Sequence, residues 1–173
     1  MYSTYFLVSL IFLCLACSIP EIPEKESPYQ EILTARYQAL INLGQKYRRI
    51  EPKQSIEYYN KAIEIYPNHP TAYYGRGETQ SELKQYSLAI SDYDKSIESE
   101  WSLDIIQYKY LVYCARATAR IRILRNVDKN DDTYPLMYGY ILVDLEMATR
   151  LAVAFKASGA MEIIEEVRAL LDD

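Results

Sequence analysis

The stretch from Pro70 to Trp101, PTAYYGRGETQSELKQYSLAISDYDKSIESEW, has a counterpart in the residues immediately before it. Gly77 lies about 33 residues after Gly44. Other equivalent positions are separated by about 34 residues: Ile56 and Ile90, Tyr59 and Tyr93, Ala62 and Ser96, Ile63 and Ile97. Because this period is typical of helical repeat proteins, the sequence predicts two successive repeating units.

Each unit has the pattern of two short amphipathic helices joined by a tight turn. Gly44 and Gly77 fall inside the first helix of their units, where glycine costs roughly 1 kcal/mol relative to alanine. We therefore expect close packing of a neighbouring helix at both glycines. The second helix carries a small residue, an aromatic residue and another small residue at helical spacing: Ser55, Tyr59 and Ala62, matched by Ala89, Tyr93 and Ser96.

This pattern resembles the tetratricopeptide repeat (TPR). In the first unit, residues 37–69, the family signature corresponds to Leu43, Gly44 and Tyr47, and Pro67 corresponds to its closing proline. The second unit, residues 70–101, retains Tyr73, Gly77, Leu83, Tyr86, Ala89, Tyr93 and Ile97. The resemblance implies an all-α fold, a short right-handed α-solenoid of antiparallel helix hairpins.

The pattern predicts a helical domain of about seven helices over residues 28–173. Ser27 before Pro28 is typical of a helix start. Residues 102–157 indicate a diverged, long hairpin, whose first helix we expect to begin at Ser102. Residues 160–171 predict a short helix with a polar outer side, as the end of a solenoid requires.

The N-terminus differs in character from the rest of the chain. Residues 5–17 are uncharged and apolar, a length that suits the core of a signal peptide, here residues 1–16. Leu15, Ala16 and Cys17 resemble a bacterial lipobox, which implies lipidation of Cys17 and leaves residues 17–27 as a tether. A secretory peptide without lipid and an uncleaved membrane anchor remain as alternatives.

Composition excludes several classes of function. The net charge of −5 lacks the basic excess of a nucleic-acid-binding protein. His69 is the only histidine and has no cluster of metal-ligating residues near it in sequence. Since there is also no nucleophile with an evident base and no glycine-rich phosphate loop, we expect neither an enzyme nor a cofactor.

The resemblance implies that the first helix of each hairpin lines a concave groove. The repeat register gives ten candidate partner-binding residues: Ile41, Gln45, Arg49, Tyr74, Glu78, Glu82, Tyr108, Val112, Arg116 and Arg120. The tyrosines offer large contact areas with few rotors, although some of the 18 tyrosines must pack in the core. Arg49, Glu82 and Arg116 suit an inter-helix salt-bridge ladder as well as ligand contact.

Two functions suit this pattern. The first is a TPR scaffold in the bacterial cell envelope, lipid-anchored and facing the periplasm, whose groove binds a peptide or helix of another envelope protein. The alternative is a periplasmic accessory of a small-molecule transporter that holds an apolar ligand in a closed pocket. An open groove favours the first and an enclosed pocket the second.

Overall fold

The computed structural model describes residues 27–171, in which seven α-helices and one short 3-10 helix occur and no strand is present. The chain divides into two compact units, Met1–Ile32 and Leu33–Asp173. Of the first unit, the described part is the beginning of the first helix. The helices are α1 (Pro28–Tyr47), α2 (Pro52–Ile65), α3 (Pro70–Glu82), α4 (Tyr86–Glu98), the 3-10 helix (Ile106–Tyr108), α5 (Lys109–Leu124), α6 (Tyr134–Ala154) and α7 (Ala160–Ala169).

Proline starts several of these helices, because its fixed φ suits the first turn and its missing N–H is not needed there. Helix α1 begins at Pro28, where the backbone N–H of Gln30 donates to the Ser27 hydroxyl at 3.3 Å. Helices α2 and α3 also have proline in their first turn. The N-cap of α3 is His69, whose ring nitrogen accepts from the backbone of Thr71.

The small and aromatic positions of the repeats form the inter-helix packing. Tyr59 of α2 is 1% exposed and packs in one cluster with Tyr37, Ile41, Ala62 and Ala72. In the second repeat, Tyr93 occupies the equivalent position and is also 1% exposed. The small polar residues bond to backbone carbonyls of the preceding helices: Ser55 Oγ donates to Gly44 O at 2.8 Å and Ser96 Oγ donates to Pro70 O at 3.1 Å.

The third hairpin, α5 and α6, packs with α7 around its own apolar cluster, which includes Tyr113, Ile121, Ile141, Leu145 and Ile164. Its first helix corrects our prediction, since α5 begins at Lys109 and not at Ser102. The intervening residues form a turn and the 3-10 helix, with Ile106 N donating to Ser102 O at 2.9 Å. Ile105 and Ile106 are β-branched, which lowers helix propensity at this point.

Helix α6 ends at Ala154, before residue 157, where the hairpin was predicted to end. Lys156 has φ 49° and Gly159 has φ 74°, and both values lie in the left-handed region that stops an α-helix. The chain then turns into α7. Among the helices between residues 27 and 171, none combines the length and apolar character needed to cross a bilayer.

Candidate functional site

The first helices of the three hairpins, α1, α3 and α5, share a groove that contains an apolar hollow of about 290 Å³. We call this hollow the tyrosine pocket. Helix α1 supplies one lining residue, α3 two and α5 two, and the others come from the segment between α4 and α5. The lining residues are Gln45, Thr71, Tyr74, Trp101, Ile105, Tyr108, Leu111 and Val112.

The two tyrosines of the pocket differ in environment. Tyr74 is half-buried, and its ring centroid lies 6.2 Å from that of Tyr93. Burial raises the pKa of Tyr74, so its hydroxyl stays protonated and can donate a hydrogen bond. Tyr108 is 52% exposed, whereas Val112 is 1% exposed. The pocket therefore combines a buried apolar part with an aromatic side chain that a partner can reach.

Trp101 forms another wall of the tyrosine pocket. Its indole Nε1 donates to Ser96 O at 2.8 Å, which anchors the ring to the C-terminal end of α4. The ammonium of Lys109 lies 5.6 Å from the Trp101 ring centroid, a cation–π distance. These contacts hold a large aromatic surface at the position where the repeat pattern has proline in the first unit.

The structure brings four of the ten predicted residues together in the tyrosine pocket: Gln45, Tyr74, Tyr108 and Val112. The placement of Ile41 is a correction. Ile41 is 2% exposed and packs against Tyr37, Tyr59 and Ala72, so its side chain belongs to the inter-helix core and not to the groove wall.

Glu78 and Glu82 of α3 are paired with arginines of the first repeat. Arg48 Nη1 lies 2.8 Å from Glu78 Oε2, and Arg48 Nε lies 3.1 Å from Glu82 Oε1. Burial raises the pKa of Glu78, and the neighbouring guanidinium of Arg48 opposes that rise. Arg49, which we predicted as the partner, is 3.8 Å from Glu82 and is 82% exposed, so Arg48 is the principal partner.

Arg116 and Arg120 correct a second expectation, that they line the groove for a partner. Their guanidiniums pair with a buried carboxylate of the fold. Asp144 of α6 is fully buried and accepts from Arg116 Nη2 and from Arg120 Nη1, each at 2.6 Å. Arg116 also pairs with Asp94 of α4. The possible ladder from Arg49 through Glu82 to Arg116 therefore stops at Glu82, and both guanidiniums are engaged by carboxylates of the fold.

Several residues of the groove escaped the sequence-based prediction. Arg48 is adjacent to Arg49, and helical periodicity alone does not fix which of two neighbouring arginines turns toward α3. Trp101 and Ile105 lie between helices, where the repeat register does not apply. Thr71 lies three residues before Tyr74, and Leu111 lies three residues after Tyr108. One turn of spacing from a predicted residue was therefore a usable signal for both.

His69 lies outside the tyrosine pocket, in a larger hollow of about 530 Å³ between two turns of the chain. Its Nδ1 is 2.7 Å from the Tyr37 hydroxyl and accepts from Thr71 N at 3.3 Å. The proton of the neutral ring is therefore on Nε2. Burial lowers the pKa of His69. Within residues 27–171, no group of His, Cys, Asp and Glu is arranged to hold a metal ion.

Cys114 of α5 is a free, buried cysteine. Cys114 is 3% exposed, and burial raises its pKa to about 11, which leaves an unreactive thiol. Cys17, the predicted lipidation site, lies outside the described residues, as do residues 1–16 and most of the tether.

Comparison with known proteins supports the repeat architecture. Residues 37–69 match one family model described as tetratricopeptide repeat, and residues 58–91 match a second model of the same description. Among solved structures, the TPR2B domain of yeast Sti1, in a complex with pHsp70, is similar at a TM-score of 0.62 and 21% sequence identity, covering 80% of this chain and 97% of that one. No curated protein sequence matches significantly. The predicted all-α, TPR-like repeat fold is confirmed.

Proposed function

We propose that this protein, with its TPR-like helical repeat, is a membrane-tethered interaction scaffold that binds a peptide or helix of another protein of the bacterial envelope. The observation that carries the proposal is the tyrosine pocket. It joins Gln45, Tyr74, Tyr108 and Val112 from separate segments into one apolar site. Aromatic side chains with a polar hydroxyl are enriched at protein interfaces.

The size of the pocket suits a side chain of a protein partner. Its volume of about 290 Å³ lies at the lower end of the range of roughly 300–1,000 Å³ typical of ligand pockets. A single large apolar side chain suits this volume. The alternative function, an accessory of a small-molecule transporter, requires an apolar ligand that fills the pocket by itself.

The comparison with the TPR2B domain supports a protein as the partner. That domain has the same fold and was solved in a complex with pHsp70. The similarity concerns the fold, so it leaves the identity of the partner open.

The membrane tether rests on the sequence Leu15, Ala16 and Cys17. Its test is a Cys17→Ala variant, followed by separation of membrane and soluble fractions. We expect the wild type in the membrane fraction and the variant in the soluble one. If the variant stays with the membrane, the apolar segment before Cys17 is the anchor and lipidation is not.

A photo-crosslinking experiment tests the groove itself. A benzophenone side chain in place of Tyr108, which is 52% exposed, reports on the pocket, and the same group in place of Tyr140, which is 50% exposed on α6, is the matched control. We expect one envelope protein to be crosslinked in intact cells from position 108 and not from position 140. No protein adduct at position 108, with an apolar small molecule retained in native mass spectra, would favour the transporter accessory.

A further inference from the structure

Helix α6 has apolar residues on two opposite sides, and the described part of the chain covers only one of them. The covered side contributes four residues to the apolar cluster with α5 and α7: Ile141, Leu145, Ala148 and Ala152. On the other side, large apolar residues remain exposed: Leu136 at 58%, Val143 at 55% and Val153 at 66%. A helix that is apolar all round is normally buried, so the second side of α6 is suited to contact with another molecule.

The exposed side of α6 has the residue spacing of a coiled-coil seam. Residues at alternating spacings of three and four lie on one face of a helix, where they can meet a second helix. We call the six residues of this face the α6 seam: Leu136, Gly139, Val143, Glu146, Arg150 and Val153. A Cβ added at Gly139 would meet nothing within 4 Å, so no other described element covers this part of the seam.

Two opposite charges lie between the valines of the α6 seam. Arg150 Nη2 is 2.6 Å from Glu146 Oε1 of the same chain, and the two side chains are 70% and 61% exposed. An entirely apolar partner helix would remove water from this pair without offering it new hydrogen bonds. The seam therefore favours a partner that carries an acidic and a basic residue in complementary positions. A second copy of α6 supplies both residues.

Charge complementarity fixes the direction and the register of such a pair of helices. Glu146 and Arg150 are each two residues from Ala148, and Val143 and Val153 are each five residues from it. In an antiparallel pair centred at Ala148, Glu146 of each copy therefore faces Arg150 of the other, and Val143 faces Val153. A parallel pair would bring Glu146 against Glu146 and Arg150 against Arg150, and like charges in contact are unfavourable.

We propose that two copies of this protein associate through their α6 seams, in antiparallel order and with Ala148 at the centre of the contact. The contact is the same surface on both copies, so it closes as a two-fold dimer. None of the seam residues lines the tyrosine pocket, so this inference is independent of the proposed function. The dimer carries two grooves, one on each copy.

The test is disulfide trapping of the full-length protein in detergent under a mild oxidant. Val143→Cys with Val153→Cys places facing thiols at both ends of the proposed contact. Each single substitution is a matched control, because the same residue of the two copies is then about 15 Å apart along the helices, whereas a disulfide needs Cβ atoms about 4 Å apart. The wild type, which has the same other cysteines, gives the baseline.

We expect a covalent dimer from the double-cysteine variant and from a mixture of the two single variants, but from neither single variant alone. Adding Glu146→Arg or Arg150→Glu to the double-cysteine variant should lower the yield about tenfold or more, because like charges then face each other. Mixing these two charge-reversed proteins, which carry different tags, should restore the yield between unlike chains. Neither chain regains its own Glu146–Arg150 pair in the mixture, so the recovery reports on contact between copies. Circular dichroism verifies the fold of each variant.

Three results would overturn this inference. The double-cysteine variant could give no more covalent dimer than the wild type, which would mean that the seams do not meet. A dimer formed by Val143→Cys alone would contradict the antiparallel order. A yield that does not respond to the charge reversals would contradict the pairing of Glu146 with Arg150. Each of these results concerns α6 alone and would leave the proposed function standing.

Discussion

The ring of Tyr59 on α2 fills the space beside Gly44 on α1 and Gly75 on α3. A Cβ added at Gly44 would lie 2.6 Å from Tyr59 Cζ, and a Cβ at Gly75 would also overlap the ring. One tyrosine thus joins the first repeat to the first helix of the second. Tyr93 repeats the relationship with Gly77, where an added Cβ would lie 2.7 Å from Tyr93 Cε1.

We predict that Gly75→Ala destabilises the protein by about 1–3 kcal/mol, because the added Cβ would overlap the buried Tyr59 ring and something must shift. Gly139→Ala is the matched control. Gly139 also lies inside a helix, but a Cβ there meets nothing within 4 Å. Alanine at position 139 should therefore stabilise the protein by about 0.5–1 kcal/mol.

Urea denaturation followed by circular dichroism measures both changes. Similar effects of the two substitutions would mean that helix propensity, and not contact with Tyr59, decides the cost of a side chain at Gly75.

Tyr59→Phe should leave stability unchanged or raise it by about 1 kcal/mol, since the substitution removes a buried hydroxyl that has no hydrogen-bond partner among the described residues. Burial also raises the pKa of Tyr59 to about 12, so the hydroxyl stays neutral in ordinary buffers. Tyr93→Phe is a useful comparison, because the Tyr93 hydroxyl reaches Glu78 Oε1 at 3.5 Å. A loss of more than about 1 kcal/mol in Tyr59→Phe would indicate a partner for its hydroxyl.

The sequence was sufficient to predict the hairpins, because the spacing of Gly44, Gly77, Tyr59 and Tyr93 encodes the packing directly. It placed Gln45, Tyr74, Tyr108 and Val112 on the groove, where they share one pocket. The repeat register predicts equivalent positions only within helices that follow the repeat.

The same register could not predict which charges pair. Arg116 pairs with Asp144, which lies 28 residues further along the chain on a helix outside the repeats. Asp144 itself lies in a mostly apolar helix, and its role becomes clear only when α5 and α6 are packed. Trp101 and Ile105 were missed for a related reason, since irregular segments have no periodicity to extrapolate.

We predict that Asp144→Asn destabilises the protein by about 3–5 kcal/mol, because it leaves the guanidiniums of Arg116 and Arg120 partly buried without their shared carboxylate. Glu146→Gln is the control on the same helix. Glu146 forms an exposed pair with Arg150, and its loss should cost at most about 0.5 kcal/mol. The free energy of unfolding in urea measures both variants. Equal and small effects would show that the Asp144 cluster contributes no more than a surface ion pair.

The final prediction concerns pH and the N-cap of α3. Burial holds the pKa of His69 below its ordinary value of 6.5, and the charge of Asp104 opposes this shift. The neutral ring accepts hydrogen bonds from Tyr37 and Thr71 at Nδ1. Between the lowered native pKa and 6.5, the unfolded state binds more protons than the native state. Stability from His69 is therefore complete above pH 6.5 and is lost as the pH falls through this window.

The control is His69→Asn, since asparagine also caps helices and does not titrate. We expect the difference in unfolding free energy between wild type and variant to shrink as the pH falls from about 7 to 5. Because His69 is the only histidine, its ring protons give an unambiguous NMR titration in the native protein. A native pKa at or above 6.5 would contradict the assigned role of Nδ1 as an acceptor, and the pH dependence would then have to arise from the carboxylates instead.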